Sequence, residues 1–149
     1  MKSHAVLTAI AGIMISTATF AAGDLSRANP REVNLEMGSA AGKMYFKPAH
    51  IEFETGKAYK LVIKNTDKLK HEIESHEFVQ RIFTRKVEVL GPDGKMLAEI
   101  KGAVTEVEVA AGGVVEWFFV PVQDGKDLTM DCAIAGHKEA GMFGTITIN

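Results

Sequence analysis

"DLTMDCAIAGHKEAGMFGTITIN", residues 127–149, holds the single cysteine of the chain between two stretches that read as β-strands. After Met142 the pattern has a period of two, with Phe143, Thr145 and Thr147 on one face and Ile146 and Ile148 on the other, as in a strand with one buried side. Before Cys132, "DLTMDC" reads as a second short strand. Between them, Gly136 and Gly141 suit a tight loop with unusual backbone angles. A loop joining two neighbouring strands brings its ends together, so Cys132, His137 and Met142 can converge at one tip of a sheet.

The rest of the chain extends the β pattern. "EVNLEM" places Val33, Leu35 and Met37 on one face. "KMYFKPAHIEFE" breaks at Pro48, which suits an edge or a bend because proline donates no ladder hydrogen bond. "KAYKLVIKNT" turns Tyr59, Leu61 and Ile63 inward. "KVEVLGPDGKMLAEI" is a hairpin signal around Pro92-Asp93-Gly94. "TEVEVAAGGVVEWFFV" gives strand, glycine turn and strand, with Val115, Trp117 and Phe119 on one side. "HEFVQRIF" reads as one or two helical turns, with Phe78, Ile82 and Phe83 at helical spacing. Trp117 and the phenylalanines are expected in the core, and Met44, Met96 and Met130 as packing. About eight or nine short strands at this spacing predict an all-β sandwich.

The chain has 149 residues, 46 % hydrophobic and 24 % charged, with a formal net charge of -2. That is enough for one domain and gives no basic footprint for nucleic acid. Residues 1–22 read as a signal peptide: an early lysine, an uncharged run of about 16 residues, short of the ~20 of a spanning helix, then small residues with cleavage after Ala21 or Ala22. The expected organisation is a removed signal at 1–22, a loose arm at 23–31 and one domain at 32–149, located in the periplasm. Exported chains use cysteine mostly in disulfide pairs. A lone Cys132 is therefore an inert thiol, an intermolecular partner, a nucleophile or a metal ligand.

A thiolate, an imidazole and a thioether form a donor set that favours copper over calcium or magnesium. Two histidines, a cysteine and a distant methionine make the blue-copper arrangement, so one more histidine is needed. His50 lies within a strand pattern and reads as a half-exposed strand residue. His71 and His76 lie in the irregular stretch after "VIKNTD".

These segments together resemble the cupredoxins, the small type 1 (blue) copper proteins that include plastocyanin, azurin and rusticyanin. The resemblance covers about residues 32–149. Cys-x₄-His-x₄-Met is similar to the family's ligand loop, "AGMFGTITIN" to its closing strand and "YFKPAHIEFETGK" to its early segment. "VIKNTDKLKHEI" is similar to the strand and loop that deliver the first histidine, and "AAGGVVEWFFVPV" to the segment before the cysteine strand. Met130 departs from the family, which often has an aromatic there.

The resemblance implies a Greek-key β-sandwich with an inserted hairpin and short helical stretch around 76–100. It implies one copper ion cycling between Cu(I) and Cu(II), held by His71, Cys132, His137 and Met142, with His76 the alternative to His71. With all four positions filled by protein, the expected role is electron transfer without catalysis. The partners would be redox proteins docking transiently near His137, with no nucleic acid, no membrane span after signal removal, and a monomeric chain. The rival roles are copper handling, as a chaperone or in resistance, and accessory Fe(II) oxidation in an iron-uptake system with "HEIESHEF" as the iron-facing patch.

Overall fold

The computed structural model describes residues 25–149. The expected signal peptide and the first residues of the expected arm lie outside them. A short 3₁₀ turn, Leu25–Arg27, leads into β1, Arg31–Ala40. Then follow β2 Lys43–Lys47, β3 His50–Phe53, β4 Tyr59–Asn65 and β5 His71–Glu74. A single helical turn, α1, spans His76–Val79. The chain continues with β6 Ile82–Leu90, β7 Met96–Ile100, β8 Glu106–Val109, β9 Val114–Pro121, β10 Gly125–Asp131 and β11 Phe143–Ile148.

The strands form two sheets, one ordered β2-β1-β4-β9-β6-β7 and the other β3-β11-β10-β5-β8. The all-β sandwich read from the sequence is the architecture found. Pro48 lies where the chain leaves the first sheet and enters the second, a position that asks for no ladder donor. The glycine turn between β8 and β9 also joins the two sheets: Gly113 N–H closes onto the Ala110 carbonyl at 2.9 Å, and its own carbonyl accepts from Asn65 N–H at 3.0 Å.

The inward faces follow the period-2 reading. Leu35, Met37, Tyr59, Leu61, Ile63, Val115, Trp117 and Phe119 are buried from the first sheet, and Ile73, Met130, Ile146 and Ile148 from the second. Met130 is fully buried and fills core space, as expected of a packing residue.

Four sequence expectations change. Among the described residues the strands number eleven, because β3 separates from β2 at Pro48 and because "HEIE" is a strand. The helix stops at Val79, so Ile82 belongs to β6 and Phe83 lies exposed on it. Phe143 and Met96 are also exposed; Met96 lies on the edge strand β7, every residue of which is exposed. The 76–100 stretch does hold a short helix and a hairpin, but β6 is integral to the first sheet, pairing with β9 from Ile82↔Pro121 to Leu90↔Val114.

Candidate metal centre

Two connections at one end of the sandwich build the site. The first runs from β4 to β5. Asn65, fully buried at the end of β4, donates from Nδ2 to the carbonyls of Leu69, Val109 and Ala110 at 2.8, 2.9 and 3.1 Å. Its Oδ1 accepts the Asp67 N–H at 2.9 Å, an Asx turn. One amide thus fixes the loop at both ends and sets His71 as the first residue of β5.

The second connection is the Cys132–Met142 loop. Cys132 N–H donates to the Met142 carbonyl at 3.2 Å, and Met142 N–H donates to the His137 carbonyl at 3.0 Å. The three residues that the sequence spaces five apart are therefore tied to one another through the backbone. Gly141 has φ +107°, in the region that L side chains rarely adopt. A Cβ there would lie 3.1 Å from the Met44 carbonyl. The adjoining Ala140 carbonyl accepts Met44 N–H at 3.0 Å, which anchors the loop on β2.

His71, Cys132 and His137 each offer a ligand atom, and the three atoms lie within 4.8 Å of one another. His71 Nδ1 faces His137 Nδ1 at 3.2 Å, and Cys132 Sγ lies 3.4 Å from the same His137 nitrogen. The far nitrogen of His71, Nε2, is held by Asp67 Oδ2 at 2.9 Å, which orients the ring and leaves Nδ1 turned to the cluster. Cys132 Sγ also accepts the Glu72 N–H at 3.4 Å. His71, Cys132 and Met142 are buried, whereas His137 reaches partly to the surface.

The electrostatics match this enclosure. Hydrogen bonds from His71 and then Ser39 hold the Asp67 carboxyl down at about 2. Burial pushes the Cys132 thiol above its ordinary value, against the pull of the Glu72 and Ile134 N–H groups. Burial, and then the charge of His71, push His137 below its ordinary value. Two imidazole nitrogens and a sulfur, largely enclosed and close to one another, are a donor set for a soft or borderline transition metal. The second nitrogen of one imidazole rests on a carboxylate, as metal-bound histidines usually do. Copper fits these residues.

The structure brings His71, Cys132 and His137 together, with Met142 buried beside them. His76 stands apart: it is 75 % exposed on α1 and pairs with Glu74 Oε1 at 2.5 Å. His50 is half-exposed on β3 and bonds Thr145 Oγ1 at 2.7 Å. The sequence reading missed Asp67, whose signal is its position four residues before His71, and the Glu72 N–H, which no side-chain pattern marks.

No protein-family model matches the sequence, and no curated protein sequence matches it either. Solved structures do match. A copper nitrite reductase from Nitrosomonas europaea superposes with a TM-score of 0.64 at 10 % identity, over 83 % of this chain and 51 % of that one. A multicopper oxidase from Campylobacter jejuni gives 0.62 at 15 %, over 80 % and 30 %. The McoA multicopper oxidase of Aquifex aeolicus gives 0.62 at 16 %, over 82 % and 30 %. The chain thus spans between about a third and a half of the length of these larger proteins. The likeness is one of fold: the chain is a cupredoxin-like β-sandwich.

Proposed function

We propose that this chain is an electron-transfer protein that holds one copper ion at His71, Cys132, His137 and Met142. The observation that carries the reading is the convergence of His71 Nδ1, His137 Nδ1 and Cys132 Sγ at a buried point, with His71 held from behind by Asp67. Copper would supply a one-electron Cu(I)/Cu(II) couple.

The protein's share is to keep the donors in place across that change. Asp67 fixes the His71 ring, the Glu72 N–H steadies the sulfur, and the loop's backbone bonds fix His137 against Met142. A site that hardly moves exchanges electrons with little reorganisation, and four protein donors leave no open position for a substrate. His137, the partly exposed ligand, is the route to a partner. Leu69, just before His71, and Phe143, just after Met142, are both more than half exposed, apolar side chains suited to the centre of a brief docking contact. Such a protein would act in the periplasm after loss of residues 1–22. Among the described residues, no helix is long and apolar enough to cross a membrane.

The buried ligands favour this reading over copper handling. A cargo ion must be handed over, which asks for exposed donors, whereas His71, Cys132 and Met142 are enclosed. The test is the visible spectrum after adding Cu(II) to the purified chain. An intense thiolate-to-copper band, lost in Cys132→Ala, together with a reversible one-electron wave, is the expected result. A chain that binds copper without that band is not an electron carrier of this kind.

A further inference from the structure

The outer face of the second sheet carries a row of carboxylates opposite the core. On β5, Glu72 and Glu74 alternate with the inward His71 and Ile73, and on β8, Glu106 and Glu108 alternate with Val107 and Val109. The register sets Glu72 across from Glu108 and Glu74 across from Glu106, so Glu72 and Glu106 are diagonal neighbours. Glu72, Glu74 and Glu106 each turn one oxygen to a common point, all within 4.8 Å of one another.

Glu72 sets this group apart from ordinary surface acids. It is only 8 % exposed, and its Oε1 is buried with no hydrogen-bond partner. A buried oxygen without a partner costs free energy, and here it joins a group of like charges. The nearby lysines make their salt bridges elsewhere, Lys70 with Glu108 at 2.8 Å and Lys138 with Asp131 at 3.1 Å, and Lys70 acts on Glu72 through its charge alone. Among the described residues, no salt bridge reaches Glu72 or Glu106. Glu74 meets His76 through Oε1.

We propose that Glu72, Glu74 and Glu106 form a second metal site, for a hard divalent cation of the Mg(II), Mn(II) or Ca(II) class. Two donors to one such ion, each at about 2.1–2.6 Å, lie no more than about 4.2–5.2 Å apart, and three carboxylate oxygens within 4.8 Å of one another are close enough to share it. An all-carboxylate set selects these ions over copper, which the thiolate and imidazole cluster prefers. Glu72 supplies the enclosed ligand, and Glu106, exposed as the first residue of β8, supplies the entry side. The site is chemically independent of the sulfur-containing cluster, although Glu72 borders both: its N–H points to Cys132 Sγ and its carboxylate to the cation.

The test is a titration of the full chain with Mn(II), read as loss of the free-ion paramagnetic resonance signal. One saturable Mn(II) per chain is expected, with affinity reduced at least tenfold in both Glu72→Gln and Glu106→Gln and unchanged in Glu99→Gln on the other sheet. Glu106 is exposed, so Glu106→Gln keeps the test decisive if Glu72→Gln folds poorly. Cys132→Ala should retain Mn(II) binding while losing any thiolate–copper band, which separates this site from the copper reading. No saturable binding, or Glu106→Gln binding as tightly as the parent, overturns the proposal.

Discussion

Asp67 Oδ2 meets His71 Nε2 at 2.9 Å, across four residues of a loop that Asn65 ties down. The bond presents the other ring nitrogen to Cys132 and His137. Replacing Asp67 by Asn keeps the size and removes the charge. Copper affinity should fall by about 10–100-fold, as when other outer partners of metal-bound histidines are lost. Competition with a chelator of known affinity measures this. An unchanged affinity would mean that Asp67 has no part in holding the ring.

Met142 is fully buried, so Met142→Leu preserves volume and should cost less than about 1.5 kcal/mol of stability. The thiolate–copper band should persist, because the sulfur of Cys132 is untouched. The reduction potential should move, since a weak axial donor tunes it. Voltammetry beside a thermal melt reads both. An unmoved potential would remove Met142 from the ligand set.

Gly141→Ala tests the loop's backbone. At φ +107° a side chain is strained, by about 1–2 kcal/mol for left-handed backbone. The new Cβ would also crowd the Met44 carbonyl. Gly42, at φ +77° with open space around it, isolates the backbone part. Urea unfolding should show Gly141→Ala destabilised by more than Gly42→Ala. Equal losses would mean that β2 gives way freely.

Phe78 comes from the single turn α1, and its ring lies 5.6 Å from Phe53, 6.0 Å from Trp117 and 5.2 Å from Phe119. Phe78→Ala should cost about 3–5 kcal/mol, the range for an aromatic removed from a tight core. Denaturant titration checks it, and a loss below about 1 kcal/mol would show that the core closes over the gap.

Lys60 Nζ lies 2.8 Å from Glu32 and 3.1 Å from Glu116, bridging β1, β4 and β9. The bond to Glu32 is the main cause that raises its pKa above 10.5, and burial works against it. The folded value therefore exceeds the unfolded one. The contribution is complete below about pH 10 and fades as pH rises through the folded value. The stability gap between the parent and Lys60→Met should hold up to about pH 10 and narrow above it. A gap independent of pH would place the effect in packing of the lysine stem.

The strands with an apolar inner face were legible in the sequence because a period of two marks which residues share a face. β4 and β11 follow it residue by residue. β5 was not legible: its four residues are all polar except Ile73, and its other inward residue is His71, so the alternation has no apolar partner to reveal it. Periodicity also says nothing about what covers a face. Phe83, Phe143 and Met96 fit their strands but project where no second sheet lies over them. In the site, the Cys132–Met142 spacing was visible because one loop holds all three residues. Asp67 was missed because its place four residues before His71 gains meaning only from the loop that Asn65 holds, and the Glu72 N–H was invisible because it is a main-chain donor.

The Cys132–Met142 loop is bonded to itself, whereas His71 meets His137 across 66 residues of chain. The donors thus assemble on two timescales. Closing a short loop takes roughly 10–100 ns, while His71 arrives only when β5 has paired with β8 and β10, a non-local step that is intrinsically slower. An ion meeting a half-folded chain finds three donors and not four. Copper bound at the proposed site would then join the two connections and resist unfolding by an amount that grows with the logarithm of its free concentration over its dissociation constant.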